Sequence, residues 1–181
     1  MRFIRQIAFA AVASAFIGGA FANPEVGGAP MSETKNIVQN AVNSKDHTTL
    51  VAAVKAAGLV DTLQSAGPFT VFAPVNAAFA KLPAGTVDNL LKPENKATLT
   101  AVLTYHVVPG KLSIEDLKKD AAMHNGKASL TTVQGEKLEV VPMGRNLEIV
   151  DAKGGKSMVT IGDVFQSNGV IHVIDTVLMP N

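Results

Sequence analysis

The sequence predicts an α+β domain, with helices mainly in its N-terminal half and strands mainly in its C-terminal half. Two observations predict it. As far as about residue 126, apolar residues recur at the spacing of a helix face, interrupted by one alternating stretch. From Lys127 onward, short runs rich in Val, Ile and Leu are separated by glycine-containing turns. Helices first and hairpins later argue for segregated α+β layers rather than an alternating βαβ chain.

The elements follow in order. Ile37, Val38, Ala41 and Val42 lie on one helical face. Leu50, Val51, Val54 and Ala57 repeat the pattern, and Gly58 is placed to end that helix in a left-handed turn. In "GPFTVFAP" the period changes: Phe69, Val71 and Ala73 alternate with Thr70 and Phe72, a strand closed by Pro74. "NAAFAKLP" reads as a short helix, and "TVDNLLK" and "ENKATLTAVLTYHV" as two further amphipathic stretches. Ser113 and Asp116 form a capping box that opens one more helix. Strands are expected in "ASLTTV", "KLEVVP", "NLEIVD", "SMVTIGDVF" and "GVIHVIDTVLMP". In "SNGVIHVID" a tight turn feeds a nearly continuous apolar strand, as expected for a strand central in its sheet.

Ahead of this domain, residues 1–22 have the layout of a secretory signal peptide. Arg2 and Arg5 precede an apolar run from Ile7 to Ile17, and Ala20-Phe21-Ala22 forms a small-residue cleavage signal. The run is short for a membrane span of about 20 residues. Cleavage after Ala22 would leave 159 of the 181 residues, the size of one domain, without a transmembrane anchor. The expected location is secreted or periplasmic. Residues 23–34, rich in Gly, Pro and small polar types, read as a flexible leader, and the domain as 35–181.

Composition removes several function classes. Without Arg2 and Arg5, 14 basic side chains face 15 acidic ones, a formal charge of −1, so the basic excess that nucleic acid would favour is missing. No cysteine is present, which excludes disulfides, thiol catalysis, thiolate metal sites and a cysteine-linked lipid. The four histidines, at 47, 106, 124 and 172, show no metal-ligand spacing. His47 and His124 sit in polar stretches and read as exposed loop residues. "GGKS", Gly154 to Ser157, lacks the first glycine of a phosphate loop, since position 150 is Val150, and reads as a hairpin turn. No metal or cofactor site is therefore assigned.

The candidate site is "AVLTYHVVPG", residues 101–110, where the chain's one tyrosine, Tyr105, adjoins His106. These are proton-transfer residue types, but no nucleophile or carboxylate stands at a telling spacing, so no catalytic residues are assigned. Read as adjacent strand residues, the two would point to opposite faces. His106 is expected inside, bonded to backbone or to a neighbouring side chain.

Three segments then read together. "FTVFAPVNAAFAKLP", "LTYHVVPGKLS" and "SNGVIHVIDTVLMP" resemble, in order, the first conserved block, the Tyr-His motif and the second conserved block of the fasciclin (FAS1) domain family. The resemblance spans about residues 36–180. It implies a β-sheet wedge packed against a group of short helices and a single-domain secreted bacterial protein. It also implies a binding role in cell-surface adhesion or matrix interaction, with no enzymatic activity. The implied partner is a cell-surface polymer or protein; the alternative is carriage of an apolar small molecule such as a carotenoid. By position, Thr70, Phe72, Ala73, Pro74, Asn76 and Phe79 match the first block. Tyr105 and His106 match the second motif and are the candidate binding residues. Gly169, Val170, His172, Val173 and Asp175 match the third. The first block often carries Thr or Ser after Ala-Pro, where this chain has Val75, so Asn76 is left as the candidate cap of the following helix.

Overall fold

The structure, a computed structural model, describes residues 23–181. The expected signal peptide lies outside the described residues.

The described residues open with a small hairpin of β1 (Glu25–Val26) and β2 (Ala29–Pro30). The helical part follows as α1 (Ile37–Ala41), α2 (Thr48–Ala57) and α3 (Val60–Gln64). Strand β3 (Phe69–Pro74) then leads into α4 (Asn76–Ala80), α5 (Thr86–Leu90) and α6 (Lys96–Tyr105). After β4 (Val107–Pro109) and α7 (Ile114–Met123) come β5 (Ala128–Thr131), β6 (Lys137–Met143), β7 (Asn146–Val150), β8 (Lys156–Gln166) and β9 (Gly169–Ile174).

Local chemistry explains the boundaries. Gly58, at φ 72°, terminates α2 as a left-handed cap. The Ser113 hydroxyl accepts from Asp116 N–H while the Asp116 carboxylate accepts from Ser113 N–H, the predicted capping box of α7. The sheet order is β4-β3-β9-β8-β7-β6-β5, antiparallel throughout except for the parallel β3–β9 pair. Strand β9 is buried along its whole length, His172 included, as its nearly continuous apolar sequence predicted. The sheet curls until its ends meet, with Val133 N–H donating to Val107 O at 2.8 Å.

Alternation along β3 and β9 divides the interior in two. Val71, Ala73, Ile171 and Val173 face the helices and join a core with Leu50, Val54, Leu99 and Leu103. Phe72 and Ile174 face the inside of the curled sheet with Leu138, Val140, Leu147 and Ile149.

Residues 25–31 do not form a free leader. Val26, Ala29 and Met31 are buried against the helical core, and Lys45 N–H donates to Gly27 O at 3.1 Å. Their apolar side chains are too widely spaced for a periodic pattern to reveal them. His47 also departs from expectation. It is buried, with Nδ1 at 2.9 Å from Ser44 Oγ, because the hairpin and α2 close over its polar-looking segment. His124 is exposed at the end of α7 and pairs with Asp120 at 3.1 Å.

Candidate functional site

The Tyr-His motif falls at a helix end rather than in a strand. Tyr105 is the last residue of α6 and His106 its cap. Successive helical residues are turned by about 100°, so the two side chains enter different cores. The phenol goes to the sheet side, and the imidazole borders a cavity on the helix side. The predicted separation holds, but helix geometry produces it.

Both side chains are enclosed, at 0% and 2% exposure, and both have their polar atoms occupied. Tyr105 OH donates to Lys137 O at 2.9 Å and accepts from Ala152 N–H at 2.8 Å, tying α6 to β6 and to the β7–β8 turn. His106 Nδ1 lies 2.7 Å from Val102 O, which makes Nδ1 the protonated nitrogen and leaves Nε2 to accept from Leu178 N–H at 2.9 Å. Burial pushes the phenol up from its usual range and pulls His106 down to about 4. A neutral imidazole and a neutral phenol bonded to backbone cannot exchange protons with a solvent-borne substrate.

Residues of the first block hold the strand and its flanks. Thr70 Oγ1 donates to Gly110 O at 2.7 Å and accepts from Leu112 N–H at 3.0 Å, fixing the turn after β4. Phe72 lies against His172, ring centres 5.7 Å apart, while Ala73 borders the cavity. Pro74 ends β3, and Phe79 is buried in the helical core. Asn76 is not the cap: Val75 holds that position with extended backbone. The Asn76 side chain instead accepts from Thr49 N–H at 3.0 Å and donates to Lys45 O at 2.8 Å, joining α4 to the start of α2.

The third motif works in the same way. A Cβ on Gly169 would run into the Phe69 carbonyl, so glycine permits the close approach of β9 to β3. His172 Nε2 donates to Leu112 O at 2.8 Å, and its Nδ1 accepts from Asp163 N–H at 3.2 Å. Burial lowers its affinity for a proton. Val170 and Val173 are buried in the sheet. Partial burial opposes charge on Asp175, but bonds from Met158 N–H, Thr176 and Ser157, with the Lys81 ammonium nearby, hold its carboxyl below the usual range.

Three further anchors escaped the sequence reading. Asn168 accepts from Ile37 N–H and donates to Leu63 O and Ser65 O, joining α1 and α3 to the β8–β9 turn. Asp163, at φ 54°, accepts from Ile114 N–H at the start of α7. Asp151 accepts from Lys153, Gly155 and Met179 N–H groups. Turn signals near Asp151 and at Asn168 were visible in the sequence, whereas Asp163 lay inside an expected strand; the distant partners of all three are a product of folding.

The helix-side cavity has a volume of about 50 Å³ and an apolar wall that includes Val26, Met31, Val54, Val71 and Ile171. His47 also borders it; its Nε2 is directed at Ala73 O without a hydrogen bond of ordinary geometry. Among the described residues, no three His, Asp or Glu side chains cluster to hold a metal ion. No helix among them is long and apolar enough to cross a membrane.

The family model for the fasciclin domain matches residues 45–180. The chain belongs to the fasciclin family. Within it, the chain is 48% identical over 145 residues to Protein sll1483 of Synechocystis sp., covering 80% of this chain and 73% of that one. It is 41% identical over 145 residues to Immunogenic protein MPB70 of Mycobacterium bovis, covering 77% and 66%. The fold matches a solved FAS1 domain pair from the insect cell adhesion molecule Fasciclin I, with a TM-score of 0.71 at 21% identity. That match covers 80% of this chain and 51% of the pair. This fasciclin chain thus has the sheet wedge and short helices that its motifs implied, and the polar side chains of those motifs are joints of the fold.

Proposed function

We propose that this fasciclin protein is exported and acts as a non-enzymatic binding module, attaching to a cell-surface polymer or a protein partner. One observation carries the reading: both side chains of the Tyr-His motif are buried and bonded to backbone, which leaves the motif a framework role. Family membership adds support, since the insect protein that contains the matched domain pair is a cell adhesion molecule. The signal-peptide layout of the sequence at residues 1–22 supports export. Binding would then use exposed surface, and Tyr105 and His106 would affect it only by holding that surface in shape.

The test is attachment to surfaces and biofilm formation by a strain lacking the gene, with a binding screen on the purified protein. Reduced attachment and a captured surface component are expected. Unchanged attachment with no partner would sink the proposal.

The apolar cavity favours carriage of a small molecule as a second reading. At about 50 Å³ it is far too small for a carotenoid, so carriage would require the β1–β2 hairpin to move away. A visible spectrum and mass spectrum of protein purified from its native host separate the readings. A colourless, ligand-free preparation would exclude carriage.

A further inference from the structure

Beyond β9 the chain continues as residues 176–181, which cross the mouth of both cores. Val177 is buried in the helix-side core and Leu178 in the sheet-side core. Among the described residues, no backbone–backbone hydrogen bond holds this segment after Asp175. Four of its N–H groups go to side chains instead: Thr176 to Ser157 Oγ at 3.1 Å, Leu178 to His106 Nε2 at 2.9 Å, Met179 to Asp151 Oδ2 at 3.0 Å and Asn181 to Glu136 Oε2 at 3.0 Å. Three of those four acceptors are groups that take up protons.

The contact to His106 is the buried one among those three. Because Nδ1–H is committed to Val102 O, an added proton has only Nε2 to occupy. It would then point at Leu178 N–H, placing two donors face to face in a buried site. The charged group that acts on the imidazole is Asp151, whose oxygens already accept three N–H groups. His47 borders the same cavity from the turn before α2, and burial holds it neutral. The last turn of α6 carries no acidic or basic residue. Among the described residues Asp151 is thus the one charge that offsets an imidazolium, and it does so without accepting the new Nε2 proton, its oxygens being held by those three N–H groups.

We propose that residues 176–181 form an acid-released strap: protonation of His106 undocks it and uncovers the apolar seats of Val177 and Leu178 while the seven-stranded sheet persists. Asp175 is the natural hinge, since its carboxylate is anchored to β8 through Met158 N–H and Ser157. The strap does not depend on the adhesion reading. It gives the chain a second surface state with apolar area exposed, available only in acid.

Amide hydrogen exchange on the full chain, normalised to the intrinsic rate at each pH, tests this directly. The opened state binds one more proton. Protection of Leu178 N–H should therefore fall by about tenfold per pH unit from about 6.5 towards 4. The β9 amides of Ile171 and Val173 should stay better protected than Leu178 throughout. In His106→Gln the Leu178 slope should flatten. In Leu178→Ala, which leaves His106 intact, protection should be lower at every pH with the slope retained. The proposal is overturned if Leu178 exchanges only as fast as the β9 amides. A slope that survives in His106→Gln or vanishes in Leu178→Ala would overturn it equally.

Discussion

The two cores are fed by alternate residues of the same two strands, yet they are built differently. On the sheet side, Phe72, Tyr105, Leu138, Val140, Leu147, Ile149 and Ile174 all have 0% exposure. Apart from Tyr105, which α6 delivers, their positions are set by strand registers in which each residue is paired to a neighbour. On the helix side, α1, α3, α4 and α5 span five residues each, and none buries more than three. One-turn helices offer too few side chains to interdigitate fully. A cavity remains, and a two-plus-two-residue hairpin closes it. Long-range pairing produces the rigid half, and short local elements produce the half with room to adjust.

Substitutions can break or sharpen this contrast. The largest effect is expected from Ile149→Ala, which opens a void in the fully packed core and should cost about 4 kcal/mol in chemical denaturation. A loss below about 2 kcal/mol would mean that the sheet side relaxes as readily as the helix side.

Acid comes next. The folded value of His106, about 4, lies below the 6.5 of the unfolded chain, so unfolding takes up a proton between those limits. Its contribution is complete above about pH 6.5 and is lost as pH falls towards 4, a change of roughly 3 kcal/mol. Denaturation midpoints across that range measure it. His106→Ala should cost about 1–3 kcal/mol at neutral pH, by orphaning Leu178 N–H, and should shallow the acid slope. A variant of unchanged stability that loses a measurable activity would reverse the structural assignment.

Two methylene insertions give the sharpest contrast. Val140→Ile enlarges a side chain with no room around it and should destabilise by about 1–3 kcal/mol. Val54→Ile adds the same group at the cavity wall and should stabilise by up to about 0.8 kcal/mol. Thermal melts of the pair suffice, and equal signs would refute the distinction between the two cores.

Much of the fold was legible because periodicity and turn chemistry are local. The capping box at Ser113, the left-handed cap at Gly58, the strand 69–74 and the central character of 169–174 all rest on residues a few positions apart. The errors occurred where distant segments decide. Residues 25–31 look unstructured alone and become ordered on a surface assembled from α1, α2 and β9. His47 looks exposed until that hairpin covers it. Asn76 has the chemistry of a helix cap, but α2 lies within reach and takes its side chain instead.

The Tyr-His pair shows the same division at the scale of two residues. Sequence alone determined that the motif belongs to a fasciclin domain, that no cysteine chemistry is available and that His106, following an apolar helix, belongs inside. Only the tertiary structure decided what each atom does there: Tyr105 bridges Lys137 and Ala152, and His106 receives Leu178 from 72 residues away. Local propensity acts through near neighbours, whereas a buried polar atom must find whichever partner the folded chain brings within about 3 Å.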